Sequence, residues 1–399
     1  MTVDAPSIPN GQYAPRLLLL STEFPPGPGG IGTHAYQVAR HLHGLGWAVE
    51  VVSPQPYVPA AQRDAFNAAQ PFGVTTLDDR QGGRLWPARR LSAIAAAVRA
   101  YRPDVVVATG SRALWAAAVV APPFRLPWVA IAHGSEFAAR SSTERRLTAL
   151  AASRATAVVA VSRYTAGLVE HVCRPRSLHV ILNAADGEQF RPGLETGGLK
   201  REWGLNGGPV LLTVGNVTER KAQDVVIRAL PDVLARHPHA TYLIAGLPTR
   251  RAEFEEVARA VGVAERVRFT GIVSAEQLPA VYNLCDLFVL VSRTASDGDT
   301  EGYGIVVQEA ALCGKPAVVS QGCGLTEAIH EGVTGLSVPP ESPEETAAAI
   351  LALLDDDAAR GAMGEAARRA AAGTTWAQRA GEYDALLRSL ISNREAAKV

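Results

Sequence analysis

The sequence predicts an α/β protein made of two open β/α domains in series, and three observations predict it. Short apolar runs alternate with helix-like stretches along most of the chain, as they do where buried parallel strands are joined by crossover helices. A chain of 399 residues is too long for one ordinary core, and two domains of roughly 150–200 residues are the expectation. A glycine-rich stretch from Glu195 to Gly208 interrupts the alternation once, after which it restarts. These features give a disordered terminus over 1–14, a first domain over 15–194, a linker over 195–208, a second domain over 209–375 and a terminal helix over 376–399. Each domain carries a glycine-rich or cationic loop at its strand ends, which implies a cleft between the two.

In the first half, Arg16 to Ser21, with its four leucines, reads as a buried strand. The loop from Glu23 to Gly32 leads into a helix from Thr33 to about Leu45, and Val49–Val52 is the next strand. Gly29, Gly30 and Gly32 would let the backbone approach a diphosphate closely. The loop also holds three prolines and no acidic residue ends the second strand, so this is not the dinucleotide fingerprint and a tight turn explains it equally well. A helix over 89–101, a strand at Val105–Ala108, a helix over 111–121 and a strand at Trp128–Ile131 follow. His133 stands just after that last strand, where function gathers in parallel sheets, although a lone loop histidine is more often structural. A strand over Ala157–Val161 precedes Ser162, a candidate N-cap, and a strand over His179–Leu182 closes the half.

The second half restarts with a strand at Val210–Gly215, then Asn216, the adjacent cations Arg220 and Lys221, and a helix over 222–237. Two such cations either lie on the surface or neutralise a pyrophosphate. Further strands are expected at Thr241–Gly246, Val267–Gly271, Leu287–Val291 and Ala317–Ser320. After Val291 a hydrophilic loop runs from Ser292 to Thr300, and a helix-like run begins near Tyr303. Glu301 and Glu309 therefore bracket a Gly-x-Gly turn at a helix N-terminus, a natural anion site. Two glutamates at this spacing occur often by chance. Here the helix is otherwise apolar (Ile305, Val306, Val307, Ala310, Ala311, Leu312), so Glu309 lies beside buried surface and a hydrogen-bonding ligand is its expected partner. Trp376 and Tyr383 give the last helix an apolar anchor.

Composition narrows the class. Hydrophobic residues make up 47% and charged residues 20%, as in soluble globular proteins. No apolar run approaches the roughly 18–20 residues of a membrane span, and the first dozen residues lack the basic start and apolar core of a signal peptide. Cys173, Cys285, Cys313 and Cys323 show no metal-ligand or C-x-x-C spacing and read as thiols of a reducing cytoplasm. Zero net charge conceals a balance of +6 over residues 1–190, from 18 Arg against 12 acids, and −6 over the remainder. A nucleic-acid binder usually carries a large basic excess, so that class is disfavoured. The cluster Arg80, Arg84, Arg89, Arg90, Arg99 and Arg102 reads as a solvated helix face in preference to a membrane patch, with peripheral membrane contact the lesser alternative.

Taken together, Phe24-Pro25-Pro26…Gly29-Gly30-Ile31, His133-Gly134-Ser135-Glu136, Val161-Ser162-Arg163-Tyr164-Thr165, Arg220-Lys221 and Glu301-Gly302-Tyr303-Gly304-Ile305…Glu309-Ala310 resemble the retaining GT-B glycosyltransferases of family 4, in the family's own order. The resemblance runs from about Leu17 to Leu390, and Ser292-Arg293 with its long polar loop looks most like the phosphatidylinositol mannosyltransferase branch. It implies two Rossmann-like domains across a cleft, an acceptor domain first and a nucleotide-sugar domain second, with the terminal helix crossing back to the first. It implies that Arg220 and Lys221 bind the diphosphate and Glu309 the ribose hydroxyls. Glu301 and the backbone N–H groups of Gly302, Tyr303, Gly304 and Ile305 would hold the donor sugar and phosphate. Gly30 and Ile31 would cover the diphosphate, backbone near Val273 would meet the base, and His133 would lie near the sugar and the reacting centre, which makes Glu301 and His133 the catalytic candidates.

Where Asn216 stands the family often has an arginine as a second diphosphate ligand, leaving Arg220 to compensate. Gly32 occupies a place where lipid-modifying relatives often put a polar acceptor contact. The expected activity is therefore transfer of a hexose of mannose, glucose or N-acetylglucosamine type from a GDP or UDP sugar. The acceptor class is open between small molecule, glycan and lipid headgroup. No cofactor or metal is expected, because positioned cations can stabilise the leaving diphosphate in place of a divalent ion. The alternatives are a coupling enzyme on the same fold, a non-catalytic nucleotide-sugar-binding protein and, less well matched, a nicotinamide oxidoreductase.

Overall fold

The computed structural model describes residues 14–27, 29–77, 86–138, 141–205 and 207–396. Residues 1–13 of the terminus expected to be disordered, and Arg80 and Arg84 of the basic cluster, lie outside the described residues. The chain forms two units, one running to Asn183 and including the helix Trp376–Ala396, the other running from Ala184 to Thr375.

The first unit is a seven-stranded parallel sheet of β1 (Arg16–Ser21), β2 (Ala48–Ser53), β3 (Gly73–Thr76), β4 (Val105–Thr109), β5 (Trp128–Ala132), β6 (Ala157–Ala160) and β7 (Leu178–Val180). Its order is β3-β2-β1-β4-β5-β6-β7. Leu17 to Leu20 are at most 2% exposed, on both faces of β1, because helices cover both sides; that is why the strand reads as a continuous apolar run. Leu17 pairs with Val49 on one side and Val105 on the other. The helix Trp376–Ala396 belongs here because Trp376, Ala380, Tyr383 and Leu387 recur every three or four residues and are buried, and the helix packs on the helix Gly30–Gly44. The Trp47 indole N–H also donates to Asp384 Oδ1 at 2.6 Å.

The second unit is a six-stranded parallel sheet of β8 (Val210–Val214), β9 (Thr241–Ala245), β10 (Val267–Gly271), β11 (Leu287–Leu290), β12 (Ala317–Ser320) and β13 (Gly335–Val338), in the order β10-β9-β8-β11-β12-β13. Leu211, Tyr242, Ile244, Leu287, Val289 and Val318 join Val226, Ile227 and Leu230 of the helix Gln223–Arg236 in its core. Both units pin their central strand in the same way. Asp104, just before β4, accepts from the Arg16 N–H (2.8 Å), and Asp286, just before β11, accepts from the Val210 N–H (2.8 Å).

The two doubly wound parallel sheets are those expected from the alternation of apolar runs. The strands β3 and β13 were not foreseen. Both are four-residue edge strands of mixed polarity, and an edge strand buries too little to give a continuous apolar run. The first helix begins at Gly30 and not at Thr33. The boundary of the first unit also differs from the reading at residue 194. Residues 184–194 belong to the second unit, where Phe190 stacks edge-on against Tyr282 (5.6 Å) and Asn283 bonds to Arg191 O (2.8 Å) and Leu194 N (3.3 Å). The stretch read as a linker is partly helical, over Gly197–Glu202. Arg89, Arg99 and Arg102 are exposed, as a solvated face requires. Among the described residues no helix is long and apolar enough to cross a membrane. All four cysteines are free thiols.

Candidate active site

In the second sheet the chain moves outward from β8 to β9 and β10, then returns to β11 on the other side of β8. The loops leaving β8 and β11 therefore diverge at the point where the strand order reverses, which is where open α/β sheets take their ligands. The loop after β8 carries Arg220 and Lys221, and the loop after β11 carries Asp299 and Glu301. Hydrogen bonds stitch the two loops together. The Arg293 N–H donates to Arg220 O (2.8 Å), its Nη2 donates to both carboxylate oxygens of Asp224 (2.8 Å each), and Ser296 donates to Glu219 from its N–H (2.7 Å) and its Oγ (2.9 Å). Gly215 ends β8 with a φ of +151°, and a Cβ there would sit 3.1 Å from Lys221 Cε. Its lack of a side chain lets the lysine lie across the strand end.

The stitching brings four charges together. Glu301 Oε2 accepts from Lys221 Nζ at 2.6 Å and from Arg220 Nη1, while Arg220 Nε donates to Asp299 Oδ2 at 2.8 Å. The side chains of Lys221 and Glu301 are only 10% and 12% exposed. Burial alone would raise the Glu301 carboxyl, but Arg220 and Lys221 overcome it and hold the pKa down at about 2. Burial works against the Arg220 charge, and Glu301 and Asp299 overcome it in turn, so that its pKa is raised. Lys221 is lowered by burial, with Glu301 opposing. The two cations expected to await a diphosphate thus have carboxylate partners of their own, because a buried charge without one is costly.

The Glu301 loop enters the helix Ile305–Leu312 through Gly304, whose φ is +80° and whose Cβ would meet Leu325 Cδ2 at 2.4 Å. Gly302, Tyr303, Gly304 and Ile305 are buried. One turn further along, Glu309 is 6% exposed. The partner expected for it was a ligand, and the structure supplies a phenol: Tyr282 O–H donates to Glu309 Oε2 at 2.6 Å. Burial pushes the Glu309 carboxyl up to about 7, against the pull of Tyr282 and of the Lys221 charge. Asn216 lies at the mouth of the same β8 loop, with its Oδ1 accepting from the Leu247 N–H (3.3 Å). Val273 is half-buried in the loop after β10.

Gly30, Ile31 and His133 belong to the first unit. Here the loop is occupied by the protein itself. Glu23 accepts from the N–H groups of Gly32 (2.9 Å) and Ile31, and a Cβ at Gly29 would lie 2.2 Å from its Oε1. The glycines therefore serve the approach of a carboxylate to the helix N-terminus, where the dipole favours it. That also explains the early helix start. Burial raises the Glu23 carboxyl, with the two amides opposing. His133 Nε2 is 2.7 Å from Thr109 Oγ1, and its backbone N–H donates to Glu136 Oε2 at 3.1 Å. His34 lies edge-on to His133 with 4.9 Å between ring centroids, and its Nε2 is 3.1 Å from Tyr383 Oη. Burial holds the His133 imidazole down at about 3 and His34 well below its ordinary value, the second also through His133. Both rings are neutral near pH 7.

Asp299, Tyr282, Glu23 and His34 were not singled out from the sequence. Asp299 stands two residues before Glu301 in the same polar loop, so a charge count of that loop could have found it. Tyr282 meets Glu309 across 27 residues, and no local pattern announces that contact.

Comparison with known proteins gives this geometry a context. Residues 28–189 match the family model described as Glycosyltransferase Family 4, and residues 199–370 the model described as Glycosyl transferases group 1. The chain is 30% identical over 394 residues to a GDP-mannose-dependent alpha-(1-6)-phosphatidylinositol monomannoside mannosyltransferase of Mycobacterium tuberculosis, covering 94% of this chain and 97% of that protein. A protein of the same description from Mycolicibacterium smegmatis is 34% identical over 247 residues, 61% of this chain and 64% of that one, just short of two thirds of its length. Among solved structures, HepE of Anabaena in complex with UDP and glucose superposes with a TM-score of 0.78 at 21% identity, over 94% of this chain and 99% of that one. The last likeness is one of fold.

Proposed function

The chain belongs to the GT-B glycosyltransferases of family 4, and from that premise we propose that it moves a hexose from a GDP or UDP sugar to a hydroxyl acceptor, with retention of anomeric configuration and without a divalent metal. The observation that carries the proposal is the meeting of Arg220, Lys221 and Glu301 where the strand order of the second sheet reverses. Mannose, glucose and N-acetylglucosamine are the candidate sugars. GDP-mannose dependence in the mycobacterial relatives and UDP with glucose in HepE support the two nucleotide classes.

Breaking a sugar–phosphate bond leaves positive charge on the anomeric carbon and negative charge on the departing diphosphate. In this reading Arg220 and Lys221 stabilise the leaving group most as its charge develops, which is where catalysis lies. Glu301 holds the sugar together with the N–H groups of Gly302 to Ile305. Its carboxyl is held down at about 2 by two cations, which makes it a poor nucleophile and base, so a binding role suits it better. Glu309 accepts from the ribose hydroxyls, backbone near Val273 meets the base, and Asn216 lies toward the diphosphate. The diphosphate itself takes the acceptor's proton as the acceptor enters on the face being vacated.

The acceptor falls in one of three classes: a lipid headgroup, a glycan or a small metabolite. The test is product analysis by proton NMR with GDP-mannose, UDP-glucose and UDP-N-acetylglucosamine, each with and without EDTA. One sugar nucleotide should be consumed at a rate EDTA leaves unchanged, giving an α-configured product. A β-configured product, or a rate abolished by EDTA and restored by a divalent ion, would overturn the stereochemical or the metal-free part respectively.

A further inference from the structure

The Glu309 carboxylate is held by one hydrogen bond among the described residues, and the donor is a residue to which the reading above gives no part. Tyr282 lies on the helix Leu278–Leu284 and is fully buried. Its ring is fixed between Phe190, edge-on at 5.6 Å, and Phe288, tilted at 5.8 Å. Its hydroxyl reaches Glu309 Oε2 at 2.6 Å, a short bond of the kind made by an O–H to an ionised carboxylate. Among the described residues no other side chain or backbone group bonds to the Glu309 carboxylate, so Oε1 has no protein partner. A carboxylate with one oxygen pinned from behind and the other open is preorganised to accept from a hydroxyl.

We propose that Tyr282 is a positioning residue for nucleotide binding, its phenol O–H fixing the Glu309 carboxylate so that the open oxygen accepts from the ribose hydroxyls. The inference rests on the assignment of Glu309 to the ribose. It goes further in making the phenol the reason a buried carboxyl can serve as an acceptor near neutral pH. Burial raises Glu309 to about 7 even with the phenol in place, and removing a donor to the charged form raises a carboxyl further. Only the ionised form accepts with both oxygens.

The other ionisable groups around Glu309 are Lys221 in the loop after β8, Cys285 after the Tyr282 helix and Cys313 after its own helix. Lys315 neighbours the two thiols, with its Nζ donating to Asn283 O (3.1 Å). Burial pushes both thiols up to about 12, so they stay protonated between pH 6 and 8.5. Lys221, Lys315 and the nucleotide phosphates are common to every variant compared, so their contributions cancel in a ratio taken at one pH.

The experiment is calorimetric titration of GDP and of UDP into the full chain at pH 6, 7 and 8.5, for wild type, Tyr282→Phe and Glu309→Gln. Tyr282→Phe keeps the ring between its two aromatic neighbours. It is expected to bind about 5- to 20-fold more weakly at pH 7, with the deficit shrinking toward pH 8.5 as Glu309 ionises. Glu309→Gln should show the opposite trend, its deficit growing with pH because only the wild type gains charge. A Tyr282→Phe deficit that is absent, or constant across the range while the wild type binds, overturns the proposal and reduces the tyrosine to packing. If the wild type binds neither nucleotide at any pH, the ribose assignment fails first and this proposal falls with it.

Discussion

Replacing Glu301 by alanine is expected to lower the unfolding free energy by about 3–5 kcal/mol, the scale on which a buried ion pair loses one partner. Arg220 keeps Asp299, but Lys221, 10% exposed, loses the only carboxylate bonded to it among the described residues. The same cluster sets a pH dependence with a definite sign. The Glu301 carboxyl is depressed from 4.5 to about 2 in the folded chain. Its contribution is therefore complete above the unfolded value and is lost as pH falls from about 4.5 through about 2. At roughly 1.4 kcal/mol per unit the loss is on the order of 3 kcal/mol. Urea unfolding of wild type and Glu301→Ala at pH 7 and pH 3 checks both statements. The two proteins should differ widely at pH 7, and the difference should narrow by about 2 kcal/mol at pH 3, where the carboxyl is protonated in the unfolded chain but still ionised in the folded one. A difference under about 1 kcal/mol at pH 7 would mean that water screens the cluster as it does a surface pair.

Replacing Lys221 by alanine is expected to weaken nucleoside diphosphate binding by about 1.5–3 kcal/mol, the scale of a hydrogen bond to a charged group. That is roughly 10- to 150-fold. The lysine is the right group to remove because its ammonium is already held at the strand end by Gly215 and Glu301, so a ligand meets a positioned charge. The measurement is calorimetry with the nucleoside diphosphate and with the nucleoside alone. The loss should appear with the diphosphate and be absent with the nucleoside. Equal losses with both would mean that the substitution disturbed the fold, and no loss would mean that Lys221 does not touch the phosphates.

The two sheets and the candidate residues of the second unit were legible because each rests on a pattern along the chain. Apolar runs such as Leu17–Leu20 and Leu287–Leu290 are buried on both faces, and burial on both faces leaves a continuous apolar signature. Arg220, Lys221 and Glu301 sit just beyond strand ends, and the order of the strands brings those ends together. The Ser162 cap was equally local, its Oγ accepting from the Thr165 N–H at 2.9 Å. What escaped the sequence is tertiary. Asp299 and Glu301 satisfy the two cations that looked free for a ligand, Glu23 takes the amides that looked free for a phosphate, and Tyr282 takes the oxygen of Glu309 that looked unpartnered. In each case a buried or dipole-facing polar group found a partner inside the protein, because leaving it bare costs more than ordering a side chain. The edge strands and the start of the second unit at Ala184 were lost for a simpler reason, since neither carries an apolar run long enough to mark it.

The most direct test of a nucleotide-sugar enzyme built on Arg220, Lys221 and Glu309 is thermal unfolding of the full chain against GDP, UDP, dTDP, ADP and NAD, each with and without a chelator. A ligand at 100 times its dissociation constant stabilises by about 2.7 kcal/mol, enough to move a midpoint by a few degrees. GDP or UDP is expected to stand out, and the chelator to change nothing. A shift with NAD alone, or with no nucleotide at all, would contradict it.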